Sequence, residues 1–310
     1  MTSPQNILVA GAGGFIGKAL CKHLDKVWPE VNLHALTRST SKVPSFVQKH
    51  NLNDLSLQSV LEILPACKFD VIYNLAAAGV SPNDRDLNTL FAVNTALPST
   101  LVQLAHRHKA SLIHAGSSAE YAPSGELYLD EKLSSLGPHS LYGTTKAAGG
   151  MMACAAAKHL GVDFLNLRLF NVFGDGESPH RLFPSLLNAA RTTQPLALSD
   201  GAQIRDFIHI KQVCRAFELA ALPSKNSPRQ IALNICSGTA ISVRDFSLSV
   251  FNALSAEESL LKFGVIERRP DDLLRVVGNP NRATSEIGFT IPLSLDATLR
   301  DAFNPRRDAA

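Results

Sequence analysis

Long apolar runs are missing: nowhere do eighteen or more apolar residues follow one another, so no membrane span is expected. Concentrated basic charge is missing as well. The formal net charge is only +3 and the Lys and Arg residues are scattered, which sets aside a nucleic-acid binder. Cysteine is scarce, and the five thiols (Cys21, Cys67, Cys154, Cys214 and Cys236) lie far apart without a CxxC or Cys/His cluster. They read as reduced, mostly buried thiols, and no structural metal is expected. The opening MTSPQNILVAGAGG lacks the basic segment, apolar stretch and cleavage site of a secretory signal. A cytoplasmic protein is therefore the expectation. Internal repeats and low-complexity tracts are absent. What remains is ordinary globular composition, 45% hydrophobic and 18% charged. The 310 residues suffice for one large core or two unequal lobes sharing a cleft.

The first two-thirds of the chain alternates apolar runs with helical patterns. NILVA (6–10), LHALT (33–37), DVIYNLA (70–76), SLIHAGS (111–117) and DFLNLRLF (163–170) read as strands. Helical patterns cover residues 14–27, 87–108 and the segment carrying LYGTTK (141–146). Continuous apolar strands separated by helices predict an α/β fold with a doubly wound parallel, Rossmann-type sheet covered on both faces. After Gly174 the rhythm breaks into short elements with proline-rich loops. The expected division is a dinucleotide-binding domain over 1–174 and a smaller substrate lobe over 175–310, interleaved so that some of the second returns to the sheet.

GAGGFIG sets Gly11, Gly14 and Gly17 directly after the first strand, with Phe15 and Ile16 opening the first helix. The turn needs unusual φ/ψ, the backbone must approach a pyrophosphate, and the helix must pack tightly on the sheet. Free N–H groups at the helix start then face the anion. At the end of the second strand, LTRST puts Arg38 where an Asp or Glu would otherwise bond the adenosine 2′-hydroxyl, with Ser39 as a second donor. That exchange favours NADP(H) over NAD(H). In LYGTTK, Tyr142 precedes Lys146 by four positions, so both share one helical face.

Taken in order, GAGGFIG, NLAAAGV (74–80), GSSAEYA (116–122), LYGTTK and LRLFNVFG (167–174) resemble an extended short-chain dehydrogenase/reductase of the nucleotide-sugar-modifying kind. The likeness continues through DGAQIRDFIHI (200–210), NICSG (234–238), RRPDD (268–272) and NPNRATSEIGF (279–289), nearly the whole chain. It implies Tyr142 as general acid or base. An unperturbed Tyr titrates near pH ~10, and an ammonium close by lowers that value. Lys146 fits this part and, in the family, also holds the nicotinamide ribose. The family's Ser/Thr-x-x-x-Tyr-Gly pattern puts the polarising hydroxyl at Ser117, with Ser118 as the alternative. The resemblance also implies cofactor contacts at Asn51, Leu52, Leu75, Ala76, Ala77 and Asn94. On the substrate side it implies Ser118, Asn171, His180, Arg181, Arg205 and Arg269, the last two as phosphate-binding arginines.

Departures from relatives narrow the reaction. Dehydratases carry an Asp-Glu pair where this chain has Ser118 and Ala119, although Glu120 lies one step on. Enzymes that epimerise at C3 and C5 need an acid/base at the position of Ala119. The expectation is an NADPH-dependent reductase of a nucleotide-activated 4-keto-6-deoxyhexose, working as a homodimer. The alternatives are an NAD-dependent nucleotide-sugar 4-epimerase and a non-catalytic NADP sensor, which typically lacks the Tyr or Lys that this chain retains.

Overall fold

The computed structural model describes residues 3–303 apart from 53, 81–83, 85, 138, 225 and 269–271. Asn6–Ala10 forms β1, Asn32–Thr37 β2, Gln48–Asn51 β3, Val71–Asn74 β4, Ser111–Ser117 β5 and Phe164–Leu169 β6. The short strands β7 (Asn171–Phe173), β8 (Leu196–Leu198), β9 (Ile204–Arg205) and β10 (Phe207–His209) follow. Then come β11 (Gln230–Ile235), β12 (Ile241–Ser242), β13 (Leu261–Phe263) and β14 (Arg275–Val276). Among the described residues, seven strands make one parallel sheet in the order β11-β6-β5-β4-β1-β2-β3. This is the doubly wound arrangement, and its strand order reverses between β1 and β4. Along β1, Ile7 and Val9 enter one core while Leu8 and Ala10 enter the other. A strand buried on both faces must be apolar at every position, which is why these runs do not alternate.

The helices are α1 (Phe15–Val27), α2 (Leu57–Ile63), α3 (Leu87–Leu90), α4 (Leu97–His108), α5 (Leu141–Leu160), α6 (Leu182–Thr192), α7 (Ile210–Ala221), α8 (Val243–Ala253), α9 (Asn281–Ile287) and α10 (Leu295–Phe303). The helix expected over 87–108 is continuous, but its middle, Phe91–Ala96, widens into a π turn between α3 and α4. Pro98 has no N–H to give to the carbonyl of Asn94, four residues earlier. That carbonyl points instead at α5, where a Cβ on Gly149 would lie 1.9 Å from it. A glycine is thus what lets the two helices approach. On α5, Ala147, Gly149, Gly150, Ala153 and Ala157 face inward while Met151 and Met152 are exposed.

Phe173 and residues after 174 build a second core, in which Phe183, Phe207, Phe246 and Phe251 pack with Leu186, Leu198 and Leu261. In the middle of this lobe the chain returns: α7 packs in the same core as α1, and β11 joins the sheet beside β6. Asp206 pins the crossing points. Its buried carboxylate accepts Ser237 N–H at 2.7 Å, Gly238 N–H at 2.9 Å and Gly278 N–H at 3.3 Å. Among the described residues no helix is long and apolar enough to cross a membrane, and no group of His, Cys, Asp and Glu could hold a metal ion.

Candidate active site

The glycine turn comes first in the chain and shapes one side of the cleft. Gly11 has φ +84°, and a Cβ there would lie 2.6 Å from the backbone N of Ala76. The bare turn lets the segment after β4, Leu75, Ala76 and Ala77, cross directly against it. A Cβ on Gly17 would lie 2.2 Å from the Gly11 carbonyl, so the start of α1 packs tightly on the loop. Gly14, the N-cap of α1, supplies no side-chain cap, and an N-cap glycine leaves the first-turn N–H groups of Phe15, Ile16 and Gly17 without intrahelical partners. Those donors, at the positive end of a helix, suit a dinucleotide diphosphate.

At the far end of this groove, Arg38 and Ser39 are exposed just beyond β2. Lys49 reaches across from β3 to donate to the Ser39 carbonyl at 2.6 Å. Asn51 ends β3, and Leu52 N–H donates to the Thr37 carbonyl at 2.8 Å. Residues 38–42, RSTSK, contain two cations and no carboxylate. Asn94 lies behind the loop that follows β4. Its amide nitrogen donates to the Ala78 carbonyl and to Thr145 Oγ1, both at 3.0 Å, and its oxygen accepts Ala78 N–H at 2.9 Å. Its side chain therefore ties the β4 loop to α5.

The structure brings Ser117, Tyr142 and Lys146 together at the carboxyl end of β5. Ser140 caps α5 by accepting Gly143 N–H at 3.1 Å, which starts the helix one residue before Tyr142. Burial raises the Tyr142 pKa above the usual tyrosine value, and Glu120 adds to that, while a hydrogen bond with Ser117 and the charge of Arg181 act the other way. Lys146, one turn further on, is 1% exposed. Its Nζ donates to the Ala115 carbonyl at 2.5 Å and lies 3.4 Å from His114 Nε2. Burial pushes its pKa down to about 8, opposed by the negative charge of Glu120. His114 is buried and held well below the usual histidine range by burial and then by Lys146, so it is neutral.

Between the two candidate hydroxyls, Ser117 is the one beside Tyr142. Its Oγ also accepts Ala119 N–H at 3.1 Å, leaving its proton free to be donated. Ser118 opens the following 3₁₀ turn, Ser118–Glu120. Glu120 turns inward and is 1% exposed. Its Oε1 accepts Ser117 N–H at 2.8 Å, and its Oε2 accepts Arg168 Nε at 2.8 Å and Asn166 Nδ2 at 3.1 Å. Sequence reading passed over His114, Asn166 and Arg168 because they lie inside apolar strand patterns. A signal was nevertheless present: Asn166 and Arg168 are two apart, hence on one face of β6.

The remaining residues read from the sequence are spread along the second lobe. Asn171, on β7, donates its N–H to the Asp206 carbonyl at 3.0 Å. His180 is exposed, with Nδ1 3.1 Å from Ser178 Oγ. Arg181 stands at the N-cap of α6, close enough for its charge to lower the Tyr142 pKa, and its Nε contacts Glu177 Oε1 at 3.2 Å. Arg205 is buried and ion-paired with Asp272, and it donates to its neighbour's carbonyl, Ile204 O, at 2.8 Å. Arg269 lies outside the described residues.

The chain is similar to known proteins over most of its length. CDP-abequose synthase of Salmonella typhimurium is 25% identical over 291 residues, covering 92% of this chain and 93% of its own. The dTDP-6-deoxy-L-talose 4-dehydrogenase (NAD(P)(+)) of Kitasatospora kifunensis is 27% identical over 253 residues, 78% of this chain and 77% of its own. The solved structure of MoeE5 with UDP-glucuronic acid and NAD superposes with a TM-score of 0.81 at 25% identity, covering 95% of this chain and 96% of that one. A sequence profile of the NAD dependent epimerase/dehydratase family matches residues 7–236. The chain belongs to that family, and as an extended short-chain dehydrogenase/reductase of the nucleotide-sugar kind it is an NAD(P)-dependent oxidoreductase.

Proposed function

We propose that the protein reduces the 4-keto group of a nucleoside-diphosphate 4-keto-6-deoxyhexose with NADPH. The observation that carries this reading is the placement of Ser117 beside Tyr142, with the buried Lys146 ammonium one turn further along the same helix. A neutral phenol is a proton donor, and reduction of a carbonyl consumes a proton.

When bound, the reduced nicotinamide supplies the hydride to C4. The chain does the rest. Ser117 donates a hydrogen bond to the carbonyl oxygen, and Tyr142 transfers its proton to that oxygen as negative charge develops. The Lys146 ammonium stabilises the phenolate that remains, which solvent then reprotonates. One hydride and one proton added across C=O give the alcohol. The first turn of α1, with Gly11, Gly14 and Gly17, would hold the diphosphate, and Leu75, Ala76 and Ala77 would border it.

Arg38, Ser39 and Lys49 support NADPH as the cofactor, since two cations without a carboxylate suit an adenosine 2′-phosphate. Asn51 and Leu52 close the same end. On the substrate side, Asn171, His180, Arg181 and Arg205, with Ser118 near the catalytic hydroxyl, make up the proposed nucleotide-sugar cleft, and Arg269, outside the described residues, keeps the phosphate-binding part that the resemblance implies. Arg205 must there exchange Asp272 for a diphosphate oxygen. The kind of reaction is also supported by the Kitasatospora relative, because a 4-dehydrogenase run backwards is a 4-ketoreductase. Exposed Leu87, Phe91, Met151 and Met152 support a homodimer, and five unpaired thiols fit a reducing, cytoplasmic setting.

Incubating the purified protein with NADPH and a nucleoside-diphosphate 4-keto-6-deoxyhexose tests the reading by loss of absorbance at the nicotinamide band. Turnover with NADPH is expected to exceed that with NADH. Tyr142→Phe should cut turnover by about 10²–10⁴-fold while NADPH still binds. Stoichiometric NAD released from the purified protein, with no NADPH consumption, would sink the reductase and leave the 4-epimerase.

A further inference from the structure

We infer that Glu120 is a positioning residue of this site, fixing Ser117 from beneath and supplying the buried counter-charge for Lys146. The inference rests on the proposed reduction for its kinetic consequences, though not for its geometry. The motif position matters first: Glu120 ends the 3₁₀ turn that follows Ser117, and its side chain folds back under that turn. Its Oε1 takes the Ser117 N–H at 2.8 Å while Ser117 Oγ takes Ala119 N–H at 3.1 Å. This reciprocal cap fixes the backbone and χ1 of Ser117 together. The serine hydroxyl is left with one free role, donation into the cleft.

The other carboxylate oxygen faces β6 and α5. It accepts Arg168 Nε and Asn166 Nδ2, and a Cβ on Gly150 would come within 3.7 Å of it. Gly150 is four residues after Lys146, so the carboxylate lies against the helical face that carries the lysine. Among the described residues, the charged and titratable groups on the elements around Lys146 are Glu120 from the turn, neutral His114 from β5, Tyr142 from α5, and Arg168 from β6, which is already paired with Glu120. Glu120 is thus the carboxylate available to offset the desolvation of the lysine.

This network is poorly explained as a stabilising feature. Gly116 must be bare because a Cβ there would lie 2.5 Å from Glu120 Oε1 and 2.2 Å from Asn166 Oδ1. Asn166 Oδ1 and Arg168 Nη1 are buried without a hydrogen-bond partner. A buried ion pair with unsatisfied atoms is often no more stable than an apolar substitute of similar volume. Its persistence next to Ser117 and Lys146 points to a service for the site. The same geometry removes Glu120 from the part of a dehydration acid, since both oxygens are held inside the protein.

Three variants test this: Glu120→Gln, the double Glu120→Gln/Arg168→Met, and Glu120→Asp. Each is read by melting temperature, by the pH profile of kcat/KM with NADPH and the 4-keto sugar nucleotide, and by the pH profile of NADPH affinity from nucleotide fluorescence. Glu120→Gln should melt lower because Arg168 loses its partner, and the double variant should recover that loss. Both should show the alkaline limb assigned to Lys146 moved down by about one unit relative to the parent, with kcat at neutral pH down on the order of tenfold. Glu120→Asp retains the charge but falls short of Ser117 N–H, so kcat should drop with the limb in place. An unmoved limb in Glu120→Gln and the double variant, with activity following melting temperature alone, would overturn the assignment. If the parent turns over no 4-keto sugar nucleotide, the functional reading fails by itself. The NADPH-affinity profile then decides on Glu120, and an unshifted profile overturns it.

Discussion

Tyr142 and Lys146 share a helical face, yet burial acts on them in opposite senses. It holds the phenol protonated and works against the ammonium, because in each case it disfavours the charged form. The buried lysine therefore works against stability. Its folded pKa of about 8 lies below the ordinary lysine value of 10.5. The unfolded chain binds the extra proton between those two values, so stability rises with pH across that window and the burden is full below it. Lys146→Met should remove turnover and still raise the melting temperature at pH 7, by an amount on the order of 1–3 kcal/mol in stability. The gain should shrink as pH rises through 8 and vanish near 10.5. Thermal scans of both proteins across that range check the sign; a variant that melts lower at pH 7 contradicts it.

Elements explain how much of this could be read in advance. The apolar strands and the glycine turn were legible because both follow from short-range pattern: two-sided burial for the strands, close backbone approach for the glycines. The edge strand β3, QKHN, was not, since an exposed edge imposes no apolar code. Lys49 went unread with it. Likewise β11 sits far along the chain, and only the tertiary return of the second lobe makes it the neighbour of β6. The π turn at Phe91–Ala96 needed two distant residues, Pro98 and Gly149, to be considered together. That coupling is testable. Gly149→Ala should gain about 1 kcal/mol from helix propensity. However, its Cβ would meet the Asn94 carbonyl at 1.9 Å, a clash that requires the helices to separate. Overpacking of this kind costs about 1–3 kcal/mol, so sterics win and the melting temperature should fall. Because Asn94 holds Ala78 on the cofactor loop, NADPH affinity should weaken in the same variant. A more stable Gly149→Ala protein would show that the helices approach less closely than 1.9 Å implies.

For the molecule as a whole, the same pair of helices looks outward as well as inward. Gly149 and the π turn lock their inner faces together, and each helix leaves large apolar side chains outside, Leu87 and Phe91 on one and Met151 and Met152 on the other. These four side chains are between 59% and 62% exposed, large apolar groups that a solvated surface does not favour. Methionine suits such a face because its flexible thioether adapts to a partner surface. A two-fold pairing would place each chain's exposed groups on its copy, and a stable interface of this kind buries about 800 Å² per partner. The active site would benefit directly, since Tyr142 and Lys146 sit on the inner face of the helix that the partner would press from outside. Met151→Glu with Met152→Glu places four like charges across the two-fold. Light scattering should then report the monomer where the parent gives twice that mass, with kcat reduced more than NADPH affinity. A parent that is itself monomeric at micromolar concentration would leave these groups without a second copy to cover them and would refute the pairing.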